Sequence, residues 1–168
     1  MLTVIRSMRE LRFGELMRVY SEGNRITGTE RWPFEPESRA VALAEQDFYN
    51  YLSQCFFHTR GAVYCVWQEG GCYVSALRLE PWRDGLLLEA LETAPERRNQ
   101  GHACALVQAV QTYLSEQGSV KLYSHISKRS TASAVVHEKC GFRKLYDYAV
   151  YADGSVDSCA GTYLFEVL

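Results

Sequence analysis

Thr93-Ala94-Pro95-Glu96-Arg97-Arg98-Asn99-Gln100-Gly101-His102-Ala103 stands between an apolar run (Leu86, Leu87, Leu88, Ala90, Leu91) and a helical pattern. In that pattern Ala103, Leu106, Val107, Val110 and Leu114 fall on one stripe. The stretch reads as a strand, a short loop with one glycine, and a helix whose first turn faces back along the strand. The first amides of a helix lack intrahelical acceptors and sit at the positive end of its macrodipole. Such a turn holds phosphate without needing a lysine. No Gly-Lys-Ser/Thr follows and the three-glycine dinucleotide pattern is absent, so neither of those phosphate motifs fits as well.

Outward from this stretch the chain alternates between two periods. Residues 2–5 read as a first strand. Ser7 is placed to cap a helix over residues 7–22, with Met8, Leu11, Leu16, Val19 and Tyr20 at core spacing. Residues 23–35, rich in turn formers and aromatics, read as a loop, and Pro36 is placed to open a second helix. Residues 62–68 and 72–79 form a hairpin around Glu69-Gly70-Gly71. A strand over 85–93, the central helix over 103–116 and a strand over 120–126 follow. A helix over 131–140 with Gly141 as its left-handed cap comes next, then strands over 142–151 and 162–167 joined around Asp153-Gly154. This alternation is that of an α/β sheet with helices on both faces. The length of 168 residues is that of one domain, taken here as 1–168.

Arg98-x-x-Gly101-x-Ala103 resembles the Arg/Gln-x-x-Gly-x-Gly/Ala pyrophosphate loop of the GCN5-related N-acetyltransferase (GNAT) superfamily. Thr93-Ala94-Pro95 stands where that family has Val-x-Pro. Downstream, Glu138-Lys139-Cys140-Gly141-Phe142 is similar to the family's Glu-Lys-x-Gly-Phe, in the right order and about one strand later. The resemblance implies the acyl-CoA N-acyltransferase fold: a mixed central sheet, helices on both faces, and splayed strands that bind coenzyme A. It implies acetyl-CoA as acyl donor. The backbone of Arg98, Asn99, Gln100, Gly101, His102 and Ala103 would hold the diphosphate, with small residues at 101 and 103 allowing close approach. By the same resemblance, backbone groups of Leu91 and Thr93 pair with the pantetheine arm, and an amide near Leu91 polarises the thioester carbonyl.

Two positions depart from the family pattern. Ser130 replaces an asparagine that contacts pantetheine or caps the helix; a serine caps as well but reaches less far. His137 replaces a tyrosine that in many relatives protonates the departing thiolate. A histidine is able to donate that proton, or simply to pack on the coenzyme or bond a carbonyl. For the amine, a general base is wanted. Glu89 and Glu92 lie in an otherwise apolar strand; alternation alone puts them on opposite faces, with Glu89 beside Leu91 and Thr93. Glu89 is the first candidate base, although the family's frequent glutamate position is Leu87 here, and His125 on the neighbouring strand is a further one. The acceptor is expected against the first two helices and their connection, where Glu22, Glu30, Trp32, Phe34, Glu35 and Glu37 suit a cationic amine and equally suit a solvated loop.

The expected activity is therefore acetyl transfer to a primary amine of a small molecule or peptide. The alternative is a non-catalytic acyl-CoA-binding regulatory module. A net charge of −2 with dispersed Lys and Arg argues against a nucleic-acid partner. No apolar run is long enough for a membrane span, and Arg6, Arg9, Glu10 and Arg12 break any secretory segment. The six cysteines form no C-x-x-C pair, four histidines are scattered, and no metal site is expected. Most cysteines are expected to be buried, in a reducing, cytoplasmic setting. In the family the last strands often exchange or pair between subunits, which makes a homodimer the oligomer to look for.

Overall fold

The computed structural model describes residues 1–118 and 120–167. Strand β1 (Leu2–Ile5) leads to helices α1 (Phe13–Val19), α2 (Ser21–Arg31) and α3 (Glu37–Gln54). Strands β2 (Val63–Glu69), β3 (Cys72–Trp82) and β4 (Gly85–Thr93) follow, then α4 (His102–Ser115), β5 (Val120–Ser127) and α5 (Thr131–Lys139). The chain closes with β6 (Arg143–Tyr146), the short β7 (Ala149–Val150) and β8 (Val156–Asp157), and β9 (Ala160–Val167). Among the described residues, seven strands form one mixed sheet in the order β1-β2-β3-β4-β5-β9-β6, with only β4 and β5 parallel among neighbours. A parallel neighbour needs a crossover connection, and α4 is that crossover.

Alternation along the strands divides the core in two. Cys65, Leu77, Leu79, Leu88 and Leu122 pack on one face against Leu106, Val107, Val110 and Leu114 of α4. Tyr64, Val66, Tyr73 and Ala76 pack on the other against Leu16, Val19, Tyr20 and Leu52 of α1–α3. Beyond α3 that second face carries a separate small cluster, Trp82, Leu87, Tyr123 and Leu164.

Three elements depart from the sequence expectation. Helix α1 begins at Phe13 rather than Ser7, because Glu10 accepts bonds from the Arg6 amide and the Ser7 hydroxyl and closes a turn there (both 2.9 Å). The loop expected over 23–35 is helix α2 through Arg31. Its Gly28 is not a turn residue: a Cβ there would lie 2.6 Å from the Ala40 carbonyl oxygen, so the glycine lets α2 and α3 cross closely. The strand expected over 142–151 is interrupted after Tyr146, and Ala149–Val150 pairs instead with Val156–Asp157. The hairpin at Gly70-Gly71 is as expected. Both glycines have positive φ, +56° and +82°, the backbone of a two-residue primed turn.

Candidate functional site

Strands β4 and β5 are zipped for three residues only: Leu86, Leu87 and Leu88 face Leu122, Tyr123 and Ser124. Past that point they part, and a cavity of about 180 Å³ opens between them. Leu88, Glu89, Ala90 and Leu91 line it from β4, Ser124, His125, Ile126 and Ser127 from β5, and Ser130, Ser133 and His137 from α5 and its approach.

On β4 the ladder to β3 slips between Arg78, which faces Glu89, and Ala76, which faces Glu92. The extra residue is accommodated at Ala90, whose φ of +52° costs a residue with a Cβ about 1–2 kcal/mol. This bulge corrects the expectation from alternation. Glu89 and Glu92 share the α1–α3 face, whereas Leu91 packs against the α4 core. Thr93 is likewise turned away from Glu89, its hydroxyl 3.1 Å from Ser75 Oγ, which itself donates to the Glu92 carbonyl at 2.6 Å. The Ala90 carbonyl is turned to the same face as the glutamates and accepts from the Tyr20 hydroxyl at 2.6 Å.

Glu89 is not a free carboxylate. Arg78 Nη2 and Nε donate to it at 3.0 and 3.2 Å, and the guanidinium also stacks over Tyr51 and lies 3.6 Å from Glu80. Burial disfavours the Arg78 charge, yet Glu89, together with Tyr51 and Tyr64, more than offsets this and holds it protonated. Glu92 is shifted the other way: burial raises its carboxyl pKa, only partly opposed by Arg98 at 3.6 Å. His125 sits edge-on between Trp82 and Tyr151, with ring centroids 5.1 and 5.5 Å away, and among the described residues neither ring nitrogen has a partner. Burial lowers its pKa, with nearby Glu89 pulling weakly upward, so it is neutral at pH 7.

His137 is 1% exposed and lies against Phe142. Its Nδ1 is 2.8 Å from the Ser133 carbonyl, which can only accept, so Nδ1 carries the hydrogen. Burial lowers its pKa against the weaker upward pull of that carbonyl, and the ring is neutral. Nε2 is then a buried lone pair without a partner among the described residues. A ring in this state accepts a hydrogen bond and has no Nε2 proton to give a thiolate, which argues against the acid role. Ser130 occupies the position before α5, but its hydroxyl makes no capping bond; it borders the cavity instead.

At the other end of β4, Pro95–Arg97 forms one 3-10 turn and Asn99 (φ +60°) and Gly101 (φ +84°) turn the chain into α4. The first bond inside this turn of helix runs from the Ala105 amide to the Gly101 carbonyl at 2.9 Å. The amides of His102, Ala103 and Cys104 precede it and point out of the helix end. A Cβ on Gly101 would meet nothing within 4 Å, so the space before the helix is open. Side chains fix the loop from outside. The Arg97 guanidinium bonds Glu69 on the β2–β3 hairpin and lies 3.3 Å from His102 Nε2, while His102 Nδ1 is 3.3 Å from Glu69. The guanidinium of Arg98 turns to the opposite side, pairing with Glu22 of α2 and donating to the Thr93 carbonyl at 3.3 Å. Arg98 and His102 therefore reach the loop through their backbone, and Gln100 turns its side chain toward Arg97.

The donor set fits coenzyme A on two independent counts. An orphaned acceptor, Nε2, is carried by His137, which borders a cavity in which an arm bearing amide N–H groups would lie. A helix end with unpaired amides and a left-handed glycine opens at the foot of the same strand. Among the described residues no group of three or more His, Cys, Asp or Glu stands ready for a metal, and no helix is long and apolar enough to cross a membrane. The cysteines differ from expectation. Only Cys65 and Cys140 are buried, Cys104 is half-buried, and Cys55, Cys72 and Cys159 are exposed at ends of elements.

One consequence of the half-buried His125 and the buried His137 is measurable. His125 and His137 have folded pKa values below the ordinary 6.5, so below that pH the unfolded chain binds more protons than the folded one. Their stabilisation is full above pH 6.5 and is lost as the pH falls through the folded values. The urea midpoint should drop between pH 7 and pH 5, and His137→Phe should flatten that drop.

Comparison with known proteins agrees with this geometry. Residues 21–142 match the acetyltransferase (GNAT) family. No curated protein matches the chain. Among solved structures, the aminoglycoside 6'-acetyltransferase type Ii superposes with a TM-score of 0.65 at 13% identity, over 100% of this chain and 97% of that one. The Escherichia coli ribosomal-protein-S18-alanine N-acetyltransferase gives 0.61 at 16%, covering 99% and 94%. The PaiA N-acetyltransferase of Thermoplasma acidophilum, solved in complex with coenzyme A, gives 0.65 at 9%, covering 98% of each chain. At such identities the structures establish a shared fold. With the family match spanning the phosphate turn, the parted strands and α5, the chain belongs to the GNAT acetyltransferase family, whose acyl donor is acetyl-CoA.

Proposed function

We propose that this protein transfers the acetyl group of acetyl-CoA to a primary amine of a small molecule or peptide. The observation that carries the reading is the cavity between β4 and β5, which brings Leu91, His125 and His137 around one space. When bound, acetyl-CoA supplies a thioester whose carbonyl carbon an uncharged amine can attack. The chain's own residues supply the rest. Backbone amides of residues 98–103 hold the diphosphate, with Asn99 and Gly101 shaping the turn and Ala103 leaving room. Ser130 and the Nε2 lone pair of His137 take hydrogen bonds along the arm, and the Leu91 amide polarises the carbonyl. Thr93 contributes its backbone once Arg98 releases the carbonyl.

Acceptor selection falls to the α1–α3 face, where Glu22, Glu80, Glu89 and Glu92 outnumber Arg78 and Arg98. That balance favours a cationic amine. Such an amine must lose its proton before attack. His125, neutral and unpartnered, is the better acceptor of that proton than Glu89, which is committed to Arg78; Glu89 sets the local field. The acid limb of kcat/KM should have its midpoint below pH 6.5 and should vanish in His125→Gln. Glu89→Gln should keep the limb and lower kcat by about tenfold; a limb lost in Glu89→Gln would return the base role to the carboxylate.

A panel of amines with acetyl-CoA, followed by free thiol release, tests the activity. A second reading, a non-catalytic acyl-CoA-binding module, is favoured by the lack of a proton on His137 Nε2. Coenzyme A raising the melting temperature without thiol release across the panel would select it.

A further inference from the structure

We propose that Tyr20, backed by Tyr64, is a positioning residue for acyl transfer: its hydroxyl fixes the Ala90–Leu91 peptide so that the Leu91 N–H is presented to the cavity between β4 and β5. The inference rests on the acetyl-transfer reading only for its kinetic arm. Its geometry is independent of it.

Tyr20 lies at the joint of α1 and α2, and its hydroxyl donates to the Ala90 carbonyl at 2.6 Å. The hydroxyl oxygen accepts in turn from Tyr64 of β2 at 2.8 Å. Tyr20 and Tyr64 are 7% and 0% exposed, and Phe48 and Phe56 pack edge-on against them. Burial holds both phenols well above their ordinary pKa, so both stay protonated and both remain donors. The relay therefore runs one way, from Tyr64 through Tyr20 to a single carbonyl.

That carbonyl belongs to a residue with left-handed backbone, and the peptide that follows it is rotated out of the ladder. In a trans peptide the C=O and the next N–H point in opposite directions, and the described chain has no cis bond. Pinning the Ala90 oxygen toward the helices therefore aims the Leu91 amide away from them. Ala90 and Leu91 both line the cavity, and β5 has already parted from β4 at Leu88, so no strand carbonyl takes that N–H from the β5 side. Without the Tyr20 hydroxyl the Ala90 carbonyl loses the bond that holds it on the helix side, and the peptide is free to turn back toward an ordinary strand.

The test is Tyr20→Phe, which removes one oxygen and keeps the ring. Isotope-edited infrared spectra of ¹³C-acetyl-CoA bound to the protein, with no amine present, report the thioester carbonyl directly. The stretch should lie below its solution value in the wild type and move back toward that value in Tyr20→Phe. With an accepted amine, kcat should fall about 10–100-fold, part of what losing an entire oxyanion donor costs. The KM for acetyl-CoA should stay within about twofold, because only the polarising contact changes. Should Tyr20→Phe fold poorly, Tyr64→Phe should show the same two changes at smaller amplitude. Tyr123→Phe, which loses a hydroxyl bond to Asp84 (2.8 Å) on another part of the sheet, should show neither. An unshifted carbonyl stretch in Tyr20→Phe and Tyr64→Phe overturns the proposal, whatever happens to melting temperature. A wild type that shifts the stretch but releases no thiol overturns acetyl transfer and leaves the positioning role standing.

Discussion

Gly101→Asp should abolish coenzyme A binding while leaving the fold intact. Aspartate tolerates left-handed backbone better than most residues, and the space around Gly101 is open, so the substitution meets no steric clash. Strain of about 1 kcal/mol is set against 0.3–1 kcal/mol from a carboxylate at a helix N-terminus. The same carboxylate stands where a diphosphate would be held. Two unit charges about 5 Å apart at an effective dielectric of about 20 repel by about 3 kcal/mol. That is at least about 100-fold in affinity. Calorimetric titration with coenzyme A reads the loss, and thermal unfolding should place the variant within a few degrees of the wild type. Gly101→Asn supplies the same shape without charge and should keep most of the affinity. Equal binding by all three proteins would move the diphosphate away from α4.

The second large effect is on the fold. Gly28→Leu places a side chain where Cβ already lies 2.6 Å from a carbonyl oxygen of α3 and 2.7 Å from its carbon. Both are backbone atoms of a helix at a buried residue, Ala40, and neither can swing aside. The helices must separate, at about 3 kcal/mol. For a chain of this size that corresponds to roughly 6–12 °C in melting temperature. Gly14 and Gly23 sit in neighbouring helices with nothing within 4 Å of an added Cβ. Replacing either by alanine should raise stability by about 0.5–1 kcal/mol. Thermal unfolding of the three variants checks the contrast, and a Gly28→Leu curve overlying the wild type would remove the close crossing.

These glycines show why part of the fold was legible in the sequence and part was not. The strand over 85–93 and the helix that follows announce themselves by period, and the turn between them by one motif. Gly23, Asn24 and Gly28 look like turn formers because what excludes a side chain at 28 is Ala40, on a different helix. Nothing within the local window reports such a partner. The bulge was equally silent. Alanine carries no signature of left-handed backbone, so alternation gave Glu89 and Glu92 opposite faces where Ala90 puts them on one. At the site itself, residue types were readable and commitments were not. That Arg78 occupies Glu89, that Ser133 fixes the tautomer of His137 and that Arg98 leans to Glu22 are facts of three-dimensional neighbourhood. Tyr20 read as one more core aromatic, because a hydroxyl's partner is invisible until the chain is folded.

The parted strands have a hinge as well as a gap. At Gly85 an added Cβ would fall 2.2 Å from the Lys121 carbonyl oxygen, so β4 and β5 are pinched together just before the zipped residues begin. The pair behaves like a clothes-peg, whose jaws open by an amount decided at the spring. Side chains between the jaws, such as Ser127, are open to substitution without moving the strands. The spring is not: any side chain at 85 would force the closed end apart and change the gape for every ligand at once. An engineer seeking a roomier donor channel has two separate handles here, one for shape and one for span.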